Sequence, residues 1–280
     1  MRRETSLLAR VLLYSVLLVF TFMTLYPVFW LIVSSFKTTQ EFQVNRLGLP
    51  RRWTCQNYPL AWKIGGFGHL FTNSIIYTVG STAAVVLLSL SAGFAFAKIR
   101  SRATPFLHGS FVIGILLSVE AVLIPLFLMA NTAGLTDTRL GILLPYIGMG
   151  MPKGIYLCTE YIKSIPDSLV ESARIDGASY PRIFWSIVLP LSGPVYATAF
   201  IIDGIAQWNS FLRPLIVLNL PETYPLSVGL RYFVVSPSDG QPKDHLLMAA
   251  AVMMTLPVIL IFFVGQRYFV RGVAMTGIKG

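Results

Sequence analysis

The chain has 280 residues, of which 55% are apolar and only 12% are charged. Charged residues are about half as frequent as in a soluble domain, which excludes disorder and sets aside an ordinary water-soluble fold. The net charge of +10 is read as lysine and arginine gathered at membrane-flanking ends rather than as a nucleic-acid surface.

Six charge-poor runs follow one another, each close to or above the roughly 20 residues that cross a bilayer. Residues 11–36 form the first and contain no charge. Arg2, Arg3 and Arg10 precede it as in a signal peptide, but the run is too long for one and lacks a small-x-small cleavage site, so it is expected to be retained. A loop over 37–69 leads to the second run, 70–97, which Lys98, Arg100 and Arg102 close. The third run, 105–130, contains Glu120; the fourth, 138–162, contains Lys153; the fifth, 191–214, contains Asp203. The sixth, 245–266, is followed by a basic tail over 267–280 with Arg267, Arg271 and Lys279. The expected fold class is therefore all-α, a polytopic membrane protein with six transmembrane helices: a short terminus over 1–10, a first span, and a five-helix core over 70–266.

Lys98, Arg100 and Arg102 in a short loop, against Arg139 alone in the next, place both termini on the cytoplasmic side. The loop 37–69 opposes this with Lys37, Arg46, Arg51, Arg52 and Lys63 outside, although long loops weigh little in the rule. The same topology puts Cys55 and Cys158 on opposite sides, so no disulfide is expected, and no metal-ligand spacing is present. Glycines and prolines recur inside the runs, among them Pro27, Gly93, Pro145, Gly150, Pro152 and Pro257. They suit close helix approach and kinked helices, either for packing alone or around a path that opens and closes. No internal repeat supports an inverted-repeat carrier.

One inner segment, residues 163–190, is too long to be a connector. Ser164 with Asp167 three residues on reads as a capping box, and Pro166 suits a first turn. Leu169, Val170, Ala173 and Ile175 give the helix an apolar side, and Gly177 is a natural stop. A second helix is expected from about Pro181 toward Pro190. Physics alone allows two readings: an amphipathic elbow resting on headgroups, or a rigid knob for the groove of a soluble partner.

The sequence Glu171-Ser172-Ala173, three residues, Gly177, nine residues, then Ile187-x-Leu189-Pro190 resembles the EAA loop of ABC importer permeases, with Ser172 where alanine is usual. Around it, Ser35-Phe36-Lys37-Thr38, Asn57-Tyr58, Asn73-Ser74, Pro125-Leu126, Gly134-Leu135-x-Asp137-Thr138, Trp208-Asn209 and the terminal Gln266 to Gly272 and Gly277 to Gly280 stand in the order of the carbohydrate branch, the maltose-type second permease. The resemblance implies a type I ABC importer fold. It implies coupling to an ATPase subunit through Glu171, Ser172, Ala173, Asp176, Gly177 and Ala178. It also implies a sister permease, two nucleotide-binding subunits that hold ATP and magnesium, and an external solute-binding protein. No cofactor is expected on this chain, which has no G-x-x-x-x-G-K-[ST] loop.

A charge at a helix centre costs about 2.5 to 3.5 kcal/mol on insertion scales, so Glu120, Lys153 and Asp203 are expected to face the interior. They form either a structural ion pair or part of a water-filled substrate path. A lysine in that path would suit an acidic sugar such as a uronate, or a phosphorylated polyol, unless Asp203 already pairs with it. Trp208 and Asn209 are candidates for the outer end of the path. The competing reading is a proton-coupled secondary carrier using Glu120 or Asp203. A membrane enzyme has no H-E-x-x-H or G-x-S-x-G motif to rest on, and His69, His108 and His245 are scattered.

Overall fold

The computed structural model describes residues 7–99, 101–234 and 243–276, with side chains to residue 263 save those of residues 9 and 232. The terminal motif from Gln266 and the tail 267–280 therefore fall beyond the described side chains, as do Arg2, Arg3 and Arg100. The described residues are helical, with no strand among them. In chain order the helices are α1 Leu7–Ser35, α2 Thr39–Val44, α3 Asn57–Ile64, α4 Phe67–Lys98, α5 Thr104–Gly114, α6 Leu123–Thr132, α7 Arg139–Lys163 and α8 Asp167–Ile175. They continue with α9 Tyr180–Leu191, α10 Gly193–Trp208, α11 Leu212–Val217, the single turns α12 Leu226–Gly229 and α13 Arg231–Val234, and α14 Asp244–Thr276.

Among the described residues three helices are long and apolar enough to cross a membrane, in α1, α4 and α14, and α9 with α10 makes a fourth if that pair, bent by 76°, counts as one span. The six expected runs are thus not six uniform rods. The third breaks into α5 and α6. Backbone N–H groups of Ile115, Leu116 and Leu117 each bond three residues back, which tightens and ends α5. Pro125 then occupies the first turn of α6, where a missing N–H costs nothing. The fourth run is one 25-residue helix, α7, carrying Lys153 and Glu160.

The chain divides into two compact units. The first joins residues 1–67 to 230–256. Its centre is Lys37, fully buried, whose ammonium donates to the carbonyls of Asn45 (2.8 Å) and Arg46 (2.9 Å) at the end of α2. Asn57 donates to the carbonyls of Ser35 and Lys37, and Thr39 bonds His245 at 3.1 Å. Residues 37–66 therefore fold around α2 and α3 through these bonds rather than forming a slack connector. Most of α1 is exposed.

The second unit, residues 68–229 with 257–280, holds everything that follows. Its α4 and α7 meet along small residues. An added methyl on Gly93 would lie 2.9 Å from Cys158 Cβ, and one on Gly154 would collide with Ser89. Cys55 and Cys158 are both free thiols.

Candidate functional site

Two places in the second unit gather the residues singled out by the sequence. The first is the elbow of α8 and α9. Beneath it lies a core of Leu90, Phe94, Cys158, Ile162, Ile165, Val170, Ile183, Phe184 and Val188. Val170 anchors α8 in that core, and Ala173 and Ala178 are half-buried against it. Glu171, Ser172, Asp176 and Gly177 are exposed. Gly177 has φ +82°, and the bonds Gly177 N–H to Arg174 O and Ala178 N–H to Ala173 O close α8 as a left-handed cap.

Three details differ from the sequence reading. Ser164 does not cap α8: it ends α7 and donates to Tyr161 O, because the chain continues α7 one residue further than expected. Pro166, extended at ψ 132°, precedes α8, and Lys98 approaches its start instead. The apolar side of α8 also splits. Val170 points into the core, while Leu169 is exposed and Ile175 is 86% exposed at the tip. Nine residues cannot turn all four apolar side chains onto one underlying core when they span more than a third of the helix circumference. α9 includes a π-helical stretch, Phe184–Val188, just before Pro190 and the sharp bend into α10.

The second place is a polar cluster among α4, α7, α10 and α11. Asp203 accepts from Thr82 (3.2 Å) and from Gln207 (3.2 Å). Gln207 in turn accepts from the Arg213 guanidinium at 2.9 Å, and that guanidinium lies 4.2 Å over the buried ring of Tyr146. Among the described residues Lys153 and Asp203 do not form the direct ion pair that is one of the two readings of these charges: the ion pairs within 4 Å are Lys98–Asp167 and Lys163–Glu160. Asp203 is bonded to neutral donors on its own helix and on α4, while Lys153, an exposed residue of α7, lines the same narrow crevice with its charge in electrostatic reach of Asp203. Glu120 sits in the exposed turn between α5 and α6 rather than inside a helix. Arg213 lies within electrostatic reach of both Asp203 and Glu120.

Thr82, Tyr146, Gln207 and Arg213 were missed by sequence reasoning. The arginine one residue before Pro214, at the edge of the fifth run, was the signal available. Trp208 is buried with its ring 5.5 Å from Phe71, and Asn209 is exposed at the end of α10.

A third feature closes the far end of the unit. Asp137, at φ +60°, accepts from the backbone N–H of Asn219 and from that of Leu220 (3.1 Å). Asn73 donates to the carbonyls of Glu222 and Tyr224, Tyr77 donates to Thr223 O, and Ser74 accepts from Leu226 N–H. The segment from Asn219 to Leu226 is thereby tied to α4 and to the start of α7. Among the described residues no group of His, Cys, Asp or Glu is arranged to hold a metal.

An all-α scaffold with an elbow helix projecting from its core is the architecture of a type I ABC importer permease, a transport component rather than a catalytic subunit. The crystal structure of a bacterial ABC transporter involved in the import of the acidic polysaccharide alginate superposes with a TM-score of 0.84, at 27% identity over 95% of this chain and 99% of that one. The chain belongs to the family of binding-protein-dependent transport system inner membrane components, whose model matches residues 86–275. It is 31% identical to a probable starch degradation products transport system permease protein of Thermoanaerobacterium thermosulfurigenes, over 90% of this chain and 91% of that one. It is 30% identical to the arabinooligosaccharides transport system permease protein of Halalkalibacterium halodurans, over the whole of both chains.

Proposed function

We propose that the chain is the membrane-spanning permease subunit of an ATP-driven importer of saccharides, working in the cytoplasmic membrane with both termini inside. A sister permease completes the path, an external binding protein delivers the sugar, and two ATPase subunits hold ATP and magnesium. The observation that carries this reading is α8. It is fixed from below through Val170 and presents Glu171, Ser172, Ile175, Asp176 and Gly177 outward, which is the form of a knob seated in a partner's groove. ATP-driven closure around that knob would alternate the path between its two openings. The names of the relatives support a saccharide as cargo.

The test is affinity purification of the tagged chain from native membranes in mild detergent, beside a Gly177→Pro variant. The wild type should bring down an ATPase subunit and a second permease, and the variant should lose only the ATPase. Recovery of the chain alone from intact membranes would sink the importer reading and return Glu120 and Asp203 to the proton-coupled alternative.

A further inference from the structure

Lys98 ends α4, and its ammonium donates to Ile165 O (2.5 Å) and to Asp167 Oδ1 (2.6 Å). Ile165 lies just past the end of α7, and Asp167 is the first residue of α8. One side chain, 3% exposed, therefore joins three helix ends, while its carboxylate partner stays 65% exposed. We propose that Lys98 is a positioning residue for coupling: it fastens α8 to α4, so that force applied at α8 travels along α4 into the membrane.

The other contacts of α4 make it suited to that task. It is a single 32-residue helix, about 48 Å long at 1.5 Å per residue. At its inner end it holds α8 through Lys98. Midway, Thr82 donates to Asp203 in the polar cluster. Toward its other end, Asn73, Ser74 and Tyr77 grip the segment from Glu222 to Leu226. One rigid element thus touches the docking elbow, the polar cluster and the far rim. Packing of Val170 alone would let α8 rock on the core, since apolar contact has no direction. A short, charge-assisted bond at the first turn fixes its angle. The inference rests on the reading of α8 as the ATPase docking helix.

The experiment uses the complete transporter in proteoliposomes with its loaded binding protein, and reads substrate moved per ATP hydrolysed. Lys98→Met keeps the apolar stem and leaves behind only a solvated carboxylate and one carbonyl, so the chain should still insert and assemble. Asp167→Asn keeps the size of a side chain that is 65% exposed and removes its charge, and it decides the matter should Lys98→Met fail to assemble. Both variants should keep the ATPase bound on purification while substrate moved per ATP drops about tenfold. A wild-type ratio in an assembled variant overturns the proposal. If the wild type itself purifies without an ATPase, the docking reading has failed, and the proposal falls with it for that separate reason.

Discussion

Ile175 stands at the tip of α8 with 86% of its surface exposed, followed by Asp176 and Gly177. An isolated apolar side chain at the end of a rigid helix is well formed to fill a pocket on a partner. Ile175→Asp should weaken association with the ATPase subunit by about 2 kcal/mol, measured as loss of co-purification and of transport with the chain still inserted. Asp137 makes a second residue-scale case. The backbone N–H of Asn219, aided by its side chain and by Leu220 N–H, holds the carboxyl of Asp137 below its usual range. Its folded value is depressed, so its contribution is complete above the ordinary value of about 4 and is lost as pH falls through the folded value. Hydrogen exchange in the segment from Asn219 to Leu226, taken relative to the intrinsic amide rate at each pH, should therefore stay slow down to about pH 4 and quicken only in stronger acid. Asp137→Asn should quicken it at neutral pH.

At the scale of elements, the sequence and the structure part in instructive ways. Charge-free runs gave α1, α4 and α14 directly, because length and apolarity are all such a helix needs. The break between α5 and α6 was not legible: Ile115, Leu116 and Leu117 are as apolar as any helix interior, and no glycine, proline or capping side chain among them marks a helix end. The elbow was legible in outline, since Pro166 and Gly177 are local signals for a start and a stop. The role of Ser164 was not, because a serine flanked by two helical segments can finish one or begin the other. The polar cluster was half legible. Asp203 and Lys153 drew notice as charges in apolar runs, but the partners that hold Asp203 are uncharged side chains on α4 and α10, invisible to a search for opposite charges.

At the scale of the whole molecule, Lys153 bears on what is carried. It is 10 residues from the end of α7, about 15 Å along the axis, and it lines the same narrow crevice as Asp203. On the proposed importer reading, the Lys153 ammonium, whose charge also reaches Asp203, would meet a cargo carrying a carboxylate or a phosphate. In the assembled transporter, Lys153→Met should cut uptake of a uronate oligosaccharide about tenfold while sparing a neutral one of equal length. Equal uptake of both by the variant would remove the acidic-sugar reading.

The glycine-lined contact of α4 with α7 carries a different meaning once the molecule is set in a membrane that holds a voltage. Where Gly93 faces Cys158 and Gly154 faces Ser89 there is no room for one more carbon atom, and so none for a water molecule. A chain of water is what protons and sodium ions need to leak. At those two points the helices leave no gap for water, and any route for a hydrated cargo has to pass elsewhere.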